Sequence, residues 1–332
     1  MVKIKKTFYL LLLLLILSGF TFEVYAFFVN LTEGKAPPSN LGNGERVISM
    51  LQKEKSEGFT FAVAGDTKSH GVFEQIAEKF KGENFSFFVL LGDCAFRGTP
   101  EEHRYLWAEL EEMPITYPLF YIVGNHDIGP SFPLKRFEEI YGPTNFSFLY
   151  KSYLFIGLRV LPAPFSSEET LSFLEKTLLL HRKSCKGVFV FMHIPPSLYK
   201  DWKVRRFKDA DKFIELFERY QVDYVICGDY HGYGHLRKGS TVYILTGGGG
   251  ARIKAKKYGA FHHALVFRIT PQGICEELLI VNGRTDIEDV FEHAAMAGFL
   301  PWVKERPFLT GLINAGAILF GVVLSRGLKR EG

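Results

Sequence analysis

The sequence predicts an α/β fold, and two observations support this prediction. Short runs rich in β-branched and aromatic residues alternate along the chain with stretches of helical period, as expected for strands and helices that pack in layers. Of the 332 residues, 47% are hydrophobic and 23% are charged, which provides enough apolar surface for a core. This composition excludes a disordered, collagen-like or coiled-coil chain.

The regular pattern begins at Phe59 and is interrupted by Gly and Pro. Strands are predicted over 59–65, 86–92, 118–124, 187–193, 224–228 and 241–248. Helices are predicted over 71–81, 101–112, 167–182 and 209–220. The stretch 263–281 is predicted as two antiparallel strands joined by the turn Pro271-Gln272-Gly273.

Both ends of the chain are hydrophobic and carry positive charge on their outer flanks. Residues 1–26 combine Lys3, Lys5 and Lys6 with an apolar run, which indicates either a cleaved signal peptide or a retained N-terminal signal anchor. Residues 308–325 are predicted as a C-terminal transmembrane helix, with a docked amphipathic helix as the alternative. By the positive-inside rule, both outer flanks lie in the cytoplasm and the intervening domain is extracytoplasmic at the membrane.

The remaining segments are assigned from their composition. We predict a linker over 27–57, a folded domain over 58–290 and a connector over 291–307. The formal net charge is only +4 and no basic stripe is interleaved with aromatic residues, so nucleic acid is not an expected partner. The basic and aromatic stretch 199–208 suits an anionic substrate, a lipid headgroup or a membrane-proximal surface. The oligomeric state is not indicated.

Polar side chains cluster directly after five of the predicted strands. These clusters are Gly65-Asp66, Gly92-Asp93, Gly124-Asn125-His126-Asp127, His193 and Gly228-Asp229-Tyr230-His231. In an open α/β sheet, ligands bind beyond the carboxyl ends of the strands, so we expect these side chains to converge. A single Gly-Asp after a strand is usually a turn or a helix cap, whereas the full set predicts a site.

The chemistry of these side chains indicates a metal site. Carboxylate, amide and imidazole groups without a cysteine at zinc-ligand spacing suit a hard or borderline divalent ion, namely Mn, Fe or Zn. Two such ions bridged by one carboxylate stabilise both the attacking and the leaving oxygen of a phosphoryl displacement, and supply hydroxide at neutral pH. Two divalent metal ions acting on a phosphoester substrate are therefore a chemistry that these residue types allow.

The motifs also occur in the order of a known family. Gly65-Asp66, Gly92-Asp93 with Gly98, Gly124-Asn125-His126-Asp127, His193 and Gly228-x-x-His231 resemble the calcineurin-like metallophosphoesterases, which include the purple acid phosphatases. The resemblance covers about residues 59–270. It implies a four-layer αββα sandwich, which here would be flanked by the hydrophobic N- and C-terminal segments.

The same resemblance implies a metal-binding role for individual residues. Asp93 would bridge the two metals. Asp66 and His231 would bind the first metal, and Asn125 and His193 would bind the second.

Three residues are candidates for catalysis. The resemblance implies that His126, paired with Asp127, stands beside the leaving group as a proton donor or a charge stabiliser. Arg97 follows the bridging carboxylate in a loop, where its guanidinium would bind a phosphate through two hydrogen bonds or else stay on the surface.

The sequence departs from the family pattern at three positions. Lys68 stands where a histidine usually binds the first metal, and it would either pair with substrate phosphate or lie in solvent at the start of a helix. Phe96 replaces the tyrosine that colours purple acid phosphatases, so that chromophore should be absent. Asp229 replaces the first histidine of a Gly-His-x-His motif; as a carboxylate it would still bind the second metal and would favour Mn or Mg.

The leading functional hypothesis is a membrane-anchored, metal-dependent phosphoesterase that hydrolyses a phosphomonoester or phosphodiester outside the cytoplasm. The altered motifs also suggest an alternative, a degenerate and non-catalytic relative that serves as a binding or scaffold protein at the membrane. A third hypothesis is a hydrolase of lipid precursors held on the cytoplasmic face. Turnover separates the first two hypotheses, and membrane topology separates the third.

Overall fold

The computed structural model describes residues 2–51, 58–198, 207–254 and 259–330. Within these ranges, two β-sheets stack face to face and helices cover both outer faces. The four-layer αββα sandwich predicted from the sequence is therefore confirmed. Most of the basic stretch 199–208 lies outside the described residues.

The strands are named in chain order. They are β1 (Phe59–Ala64), β2 (Phe87–Leu90), β3 (Leu119–Tyr121), β4 (Phe146–Tyr150), β5 (Tyr153–Leu158), β6 (Gly187–Met192), β7 (Tyr224–Cys227), β8 (Tyr233–Lys238), β9 (Thr241–Thr246), β10 (His262–Thr270) and β11 (Gly273–Val281).

The α-helices are named in the same way. They are α1 (Val2–Thr32), α2 (Glu45–Ile48), α3 (Val72–Lys79), α4 (Pro100–Glu112), α5 (Leu134–Tyr141), α6 (Glu168–His181), α7 (Ala210–Arg219), α8 (Ile287–His293), α9 (Leu300–Glu305) and α10 (Pro307–Arg330). A short 3₁₀ turn, Arg182–Ser184, follows α6, and a π-helical turn, Ala294–Phe299, follows α8.

The order of the strands brings several strand ends to one edge. The first sheet has the order β11-β10-β1-β2-β3, and the second has the order β4-β5-β6-β7-β9-β8. Strands β1, β2 and β3 are parallel, as are β5, β6, β7 and β9. Because parallel strands end at the same edge of a sheet, the loops after them meet there.

The alternation of side chains in β1 shows how the sequence forms the two inner layers. Phe61 and Val63 face the second sheet, whereas Ala62 and Ala64 face the helices. Phe61 stacks on Phe267 of β10 with the ring centroids 4.8 Å apart. Successive side chains of a strand point to opposite faces, so one strand supplies both layers of the core.

Helices cover the outer faces through apolar side chains that recur at helical spacing. Ile76 of α3 and Leu106 of α4 pack on the first sheet. Leu178 of α6 and Phe217 of α7 pack on the second. Burying each such side chain contributes roughly 1.5–3 kcal/mol, so this packing holds the helices in place.

The sequence pattern did not predict α5, β4, β5 or β8. Strands β4 and β5 form a hairpin whose turn residues, Lys151 and Ser152, have φ angles of 45° and 67°. Such a turn is normally signalled by Asn-Gly or Asp-Gly, which is missing here. Strand β8 is a largely polar edge strand that pairs only with β9 in the described structure.

The N-terminal helix is longer than the predicted segment 1–26. Helix α1 continues to Thr32, and Ala26 and Val29 are buried. Val29 packs against Tyr105, and the Arg104 guanidinium donates hydrogen bonds to main-chain carbonyls at the end of α1. The end of α1 is therefore fixed to α4.

The described part of the predicted linker, 27–51, is folded against the domain instead of extended. The side-chain amide of Asn43 donates to the carbonyl of Tyr121 at 2.8 Å, and its oxygen accepts from the Tyr121 N–H at 2.8 Å. The predicted connector 291–307 is likewise mostly helical. Short polar segments of this kind carry little periodicity, so composition alone suggested linkers.

Helices α1 and α10 pack side by side. Each contains a stretch, Lys5–Thr32 or Pro307–Lys329, that is long and apolar enough to cross a membrane, by length and composition only. The Asn314 amide donates to Glu23 Oε2 at 2.9 Å between the two helices. Only 6% of the apolar window of α10 is buried, so this helix does not dock on the domain as an amphipathic helix would.

Candidate metal centre

The six predicted metal ligands all lie at the edge where the parallel strands end. Each follows a strand, β1, β2, β3, β6 or β7, and they are Asp66, Asp93, Asn125, His193, Asp229 and His231. Four of them are buried, namely Asp66, Asp93, His193 and His231. The Oδ1 atom of Asn125 is also buried, whereas Asp229 is only partly buried.

Distances between their side chains show that five of the six, all except Asn125, form one cluster. Asp93 Oδ1 lies 3.3 Å from His193 Nε2, and Asp66 Oδ1 lies 3.3 Å from His231 Nε2. Asp229 Oδ1 lies 3.9 Å from His193 Nε2. One ligand atom from each of Asp66, Asp93 and His231 lies within 4.8 Å of the other two.

The main chain at these residues has an unusual conformation. The φ angles are 54° at Asp66, 53° at Asp93, 57° at Asp229 and 49° at His231. Positive φ is uncommon for residues other than glycine and is frequent at functional sites.

Backbone carbonyls orient both histidines. His193 Nδ1 donates to the carbonyl of Leu91 at 2.6 Å, and His231 Nδ1 donates to the carbonyl of Arg252 at 2.9 Å. A carbonyl only accepts hydrogen bonds, so Nδ1 carries a hydrogen in each ring and Nε2 faces the cluster. Sequence reasoning missed these contacts because a carbonyl group is common to every residue.

The buried donor atoms fit a divalent metal. Asp66 Oδ1, Asn125 Oδ1 and His193 Nε2 are buried and have no hydrogen-bond partner within the described ranges. Buried polar atoms are almost always satisfied, so several such atoms at one place fit a site that binds a cation. Their oxygen and nitrogen chemistry matches Mn, Fe or Zn.

Electrostatic interactions within the cluster shift three pKa values. Burial raises the pKa of Asp66, with the nearby Asp93 adding to the effect and the nearby imidazoles of His231 and His193 opposing it. Burial also acts to raise the pKa of Asp93, but His193 and Lys68 outweigh it and hold this pKa well below its usual range. Although burial opposes the change, Asp93 and the other carboxylates raise the pKa of His193 to about 10. A metal-bound imidazole is neutral, so metal binding must displace this proton.

Lys68 is part of the centre and does not lie in solvent. Its Nζ is 2.7 Å from Asp93 Oδ2, and its side chain is 9% exposed. The prediction of a solvated residue at a helix start is therefore wrong. The buried ion pair supplies positive charge beside the carboxylate predicted to bridge the metals.

His126 lies at the open side of the centre. The main-chain N–H of His126 donates to Asp93 Oδ1 at 2.8 Å. The ring Nδ1 donates to the carbonyl of Phe96 at 2.9 Å. The side chain is 45% exposed, and Nε2 lies 3.9 Å from Asp93 Oδ2. The imidazole is thus held by a carbonyl, and not by Asp127 as the sequence suggested.

Asp127 supports the loops of the centre through its hydrogen bonds, and its predicted catalytic role stays a prediction. It is fully buried, and its carboxylate accepts five hydrogen bonds, from the N–H groups of residues 93–95 and Gly124 and from the hydroxyl of Tyr121. A Cβ on Gly124 would collide with the N and Oδ1 atoms of Asp93, so only glycine fits there. Asp127 and Gly124 together hold two ligand-bearing loops in contact.

Arg97 and Phe96 lie in the loop after Asp93. Arg97 is exposed, and its contact with phosphate remains a prediction. The Phe96 ring packs between His70 and His293, with centroid distances of 4.9 and 4.5 Å. Phe96 therefore has a packing role in this loop.

Sequence comparison relates the chain to known phosphatases. Residues 59–233 match the sequence model of the calcineurin-like phosphoesterases. The serine/threonine-protein phosphatase CPPED1 of Mus musculus is 32% identical over 124 residues, which cover 33% of this chain and 40% of the mouse protein. The chain thus matches less than half of the length of this relative.

Solved structures share the fold at low sequence identity. A dimetal phosphatase from Danio rerio has a TM-score of 0.53 and 15% identity, over 67% of this chain and 96% of that one. GAP50, the anchor in the inner membrane complex of Plasmodium, has a TM-score of 0.51 and 16% identity, over 72% and 95%. The purple acid phosphatase PPD1 of yellow lupin has a TM-score of 0.50 and 14% identity, over 71% and 55%. Since the sequence match extends over more than half of its residues, this chain belongs to the calcineurin-like phosphoesterase family.

Proposed function

We propose that the protein is a membrane-anchored, metal-dependent phosphoesterase that hydrolyses a phosphomonoester or phosphodiester with a dinuclear centre. One observation carries this proposal: the predicted ligands converge at the strand ends, and three of them present buried atoms without a hydrogen-bond partner within the described ranges. Phosphoester hydrolysis is also the chemistry of the family.

The proposed ligand sets are those that the family resemblance implies. Asp93 would bridge the two ions, with Asp66 and His231 on one side. Asn125, His193 and Asp229 would hold the other ion; Asp229 is included because its Oδ1 lies 3.9 Å from His193 Nε2. When bound, two divalent ions supply a hydroxide at neutral pH and neutralise charge that develops on the phosphoryl group.

The residues of the chain provide the remaining parts of the reaction. His126 keeps its Nδ1 hydrogen on the Phe96 carbonyl, so only the imidazolium form also has a hydrogen on Nε2; that proton would pass to the leaving oxygen and leave the ring neutral. Arg97, exposed in the neighbouring loop, binds a non-bridging phosphate oxygen. Lys68 stabilises Asp93 as a carboxylate.

The terminal helices support the proposal that the domain is held at a membrane. Ala26 is buried within α1, which continues to Thr32, so cleavage after residue 26 would cut this helix just before Val29, which contacts α4. We therefore propose that α1 is a retained anchor, that α10 is a second one, and that the domain at about 58–290 is extracytoplasmic. Protease accessibility in intact cells tests the orientation, because a cytoplasmic domain would be protected.

The activity is tested by metal content and turnover together. The full chain in detergent should bind two Mn, Fe or Zn ions and should hydrolyse an aryl phosphate or a bis-aryl phosphate. Asp93→Asn should lose both properties. A variant that keeps full metal content and turnover would refute the proposed ligand set.

A second candidate function is favoured by the Lys68–Asp93 ion pair. An ammonium group 2.7 Å from the bridging carboxylate competes with a cation for the same oxygen, which would suit a non-catalytic scaffold protein. The structural neighbour GAP50 is itself described as an anchor. Metal binding without turnover of either aryl substrate would favour this alternative.

A further inference from the structure

A second group of acidic side chains lies apart from the metal centre, where α3, α4 and α8 meet. Glu74 of α3 and Asp286 and Asp289 of α8 each offer a carboxylate oxygen, and these oxygens lie within 4.8 Å of one another. Glu109 of α4 lies close enough to Glu74 and Asp289 for their charges to perturb it. These four residues are called the acidic cluster below.

Three side-chain oxygen atoms of the acidic cluster are buried and have no hydrogen-bond partner in the part of the chain that the structure describes. Asp289 is 6% exposed, and its Oδ2 is buried and has no hydrogen-bond partner within the described ranges. The same is true of Oε1 of Glu74 and of Oε1 of Glu109, a residue that is 7% exposed. None of the ion pairs among the described residues involves a member of the cluster. Unpaired buried carboxylates are strongly unfavourable, so something must neutralise them.

The charges within the acidic cluster act on one another. Burial and the neighbouring Glu74 raise the pKa of Glu109 to about 11. Burial, Glu74 and Asp286 raise the pKa of Asp289 to about 7. The cluster therefore takes up either protons or a metal cation.

The main chain holds the acidic cluster in a fixed geometry. The N–H of Asp286 donates to the carbonyl of His70 at 2.9 Å. The side chain of Gln75 donates to the carbonyl of Arg284 at 2.6 Å and accepts from its N–H at 3.2 Å. Gly71, at φ +90°, permits the close approach of Asp286, because a Cβ on residue 71 would lie 2.8 Å from the Cβ and N atoms of Asp286.

The acidic cluster is also accessible from solvent. A cavity of about 670 Å³ lies beside it and is lined by Glu74 and Asp286 together with Glu112 and Arg284. A cation can therefore reach Glu74 and Asp286 from solvent, and a carboxylate oxygen of Asp289 lies within 4.8 Å of theirs.

We infer that the acidic cluster of Glu74, Glu109, Asp286 and Asp289 is a binding site for calcium, separate from the phosphoesterase centre. The donors are all carboxylate oxygens, with no histidine or cysteine among them, which selects a hard cation. Asp286 is exposed, Glu74 is partly buried and Asp289 is buried, so the shell would be irregular and would be completed by water. Calcium accepts six to eight oxygens in irregular geometry, whereas magnesium requires a near-ideal octahedron.

Bound calcium would join two parts of the molecule. Helix α3 belongs to the sandwich, whereas α8 leads through the π-helical turn Ala294–Phe299 to the terminal helices, and that turn packs on α1 and α4. Calcium between α3 and α8 fixes the sandwich to the terminal helices. This role does not depend on the proposed phosphoesterase activity.

The test uses the full chain in detergent, with calcium alone as the probe. Bound calcium and its dissociation constant are measured by equilibrium dialysis and calorimetry for wild type and for the double variant Glu74→Gln/Asp289→Asn. The control is Glu78→Gln, a carboxylate on the same helix and the same cavity wall that pairs with Lys81 at 3.0 Å. Manganese-dependent turnover in calcium-free buffer is measured for all three proteins.

The double variant should bind one calcium ion fewer per chain than wild type, or bind it at least tenfold more weakly. Calcium should raise the unfolding midpoint of wild type and of Glu78→Gln, but not that of the double variant. Turnover in calcium-free buffer should be equal in the three proteins, so that failure of the phosphoesterase proposal shows separately. Equal calcium binding by wild type and the double variant, or no calcium effect on the midpoint of wild type, would overturn the inference and indicate that the carboxylates share protons.

Discussion

Asp127 provides a sharp test of the distinction between structural and catalytic residues in the centre. Its Oδ2 accepts from the N–H groups of Asp93 and Gly124, and its Oδ1 accepts from two further N–H groups and from the Tyr121 hydroxyl. In Asp127→Asn, one oxygen becomes an NH₂ group, which cannot accept. The less damaging orientation places that group at Oδ2 and loses two hydrogen bonds.

The magnitude of this loss follows from the charge and burial of the group. A hydrogen bond to a charged group contributes about 1.5–3 kcal/mol, so losing two costs about 3–6 kcal/mol. For a domain of this size, 1 kcal/mol corresponds to about 2–4 °C, so the unfolding midpoint should fall by at least about 6 °C. Metal content should fall as well, because the broken bonds hold the loop of Asp93.

The assay is thermal unfolding of the full chain in detergent, combined with metal analysis. The matched control is Asp211→Asn, an exposed aspartate in the first turn of α7, which should cost only about 0.3–1 kcal/mol. If Asp127→Asn keeps the midpoint and metal content of wild type but loses turnover, Asp127 acts in catalysis and the structural argument is wrong.

Four further predictions concern the two clusters. Asn125→Ala should lower metal content and abolish turnover, because a ligand oxygen is lost; retention of more than about a tenth of wild-type turnover contradicts its role. His126→Ala should lower kcat roughly 10²- to 10⁴-fold with metal still bound, and metal loss would show that it is a ligand instead. Asp229→His should move the preferred activating metal from Mn toward Zn, and an unchanged order of metals removes Asp229 from the ligand set. In EDTA, the unfolding midpoint should fall as pH rises from about 5 to 8. Burial and nearby carboxylates raise the pKa of Asp289 to about 7, and they do the same for Glu292, which lies outside the acidic cluster on the same helix α8. The folded chain therefore holds protons that the unfolded chain has lost, and a flat profile would contradict this.

The sandwich could be predicted because its strands and helices carry strong periodicity. The β1 sequence alternates between two buried faces, and the polar residues after the strands marked the edge at which the site lies. The hairpin of β4 and β5 could not be predicted, because Lys151 and Ser152 adopt positive φ without the usual turn residues. Tertiary packing of the strands determines this turn.

Residue types indicated the candidate site, but the hydrogen-bond partners of these residues could not be predicted. The order of motifs suggested a pair between His126 and Asp127, whereas main-chain groups bind both side chains. The environment of Lys68 was likewise open until its distance to Asp93 was known. A sequence motif specifies which groups are near one another, and the fold decides which of them pair.

The positive φ angles at Asp66, Asp93, Asp229 and His231 lower the stability of the folded chain at the residues of the candidate site. Left-handed backbone costs a residue with a Cβ roughly 1–2 kcal/mol, so four such residues cost roughly 4–8 kcal/mol. Net domain stability is itself only about 5–15 kcal/mol. A library of variants screened for heat resistance alone would therefore enrich glycine at these positions and discard the proposed metal ligands. Engineering a more robust form of this protein has to draw its gains from other parts of the chain.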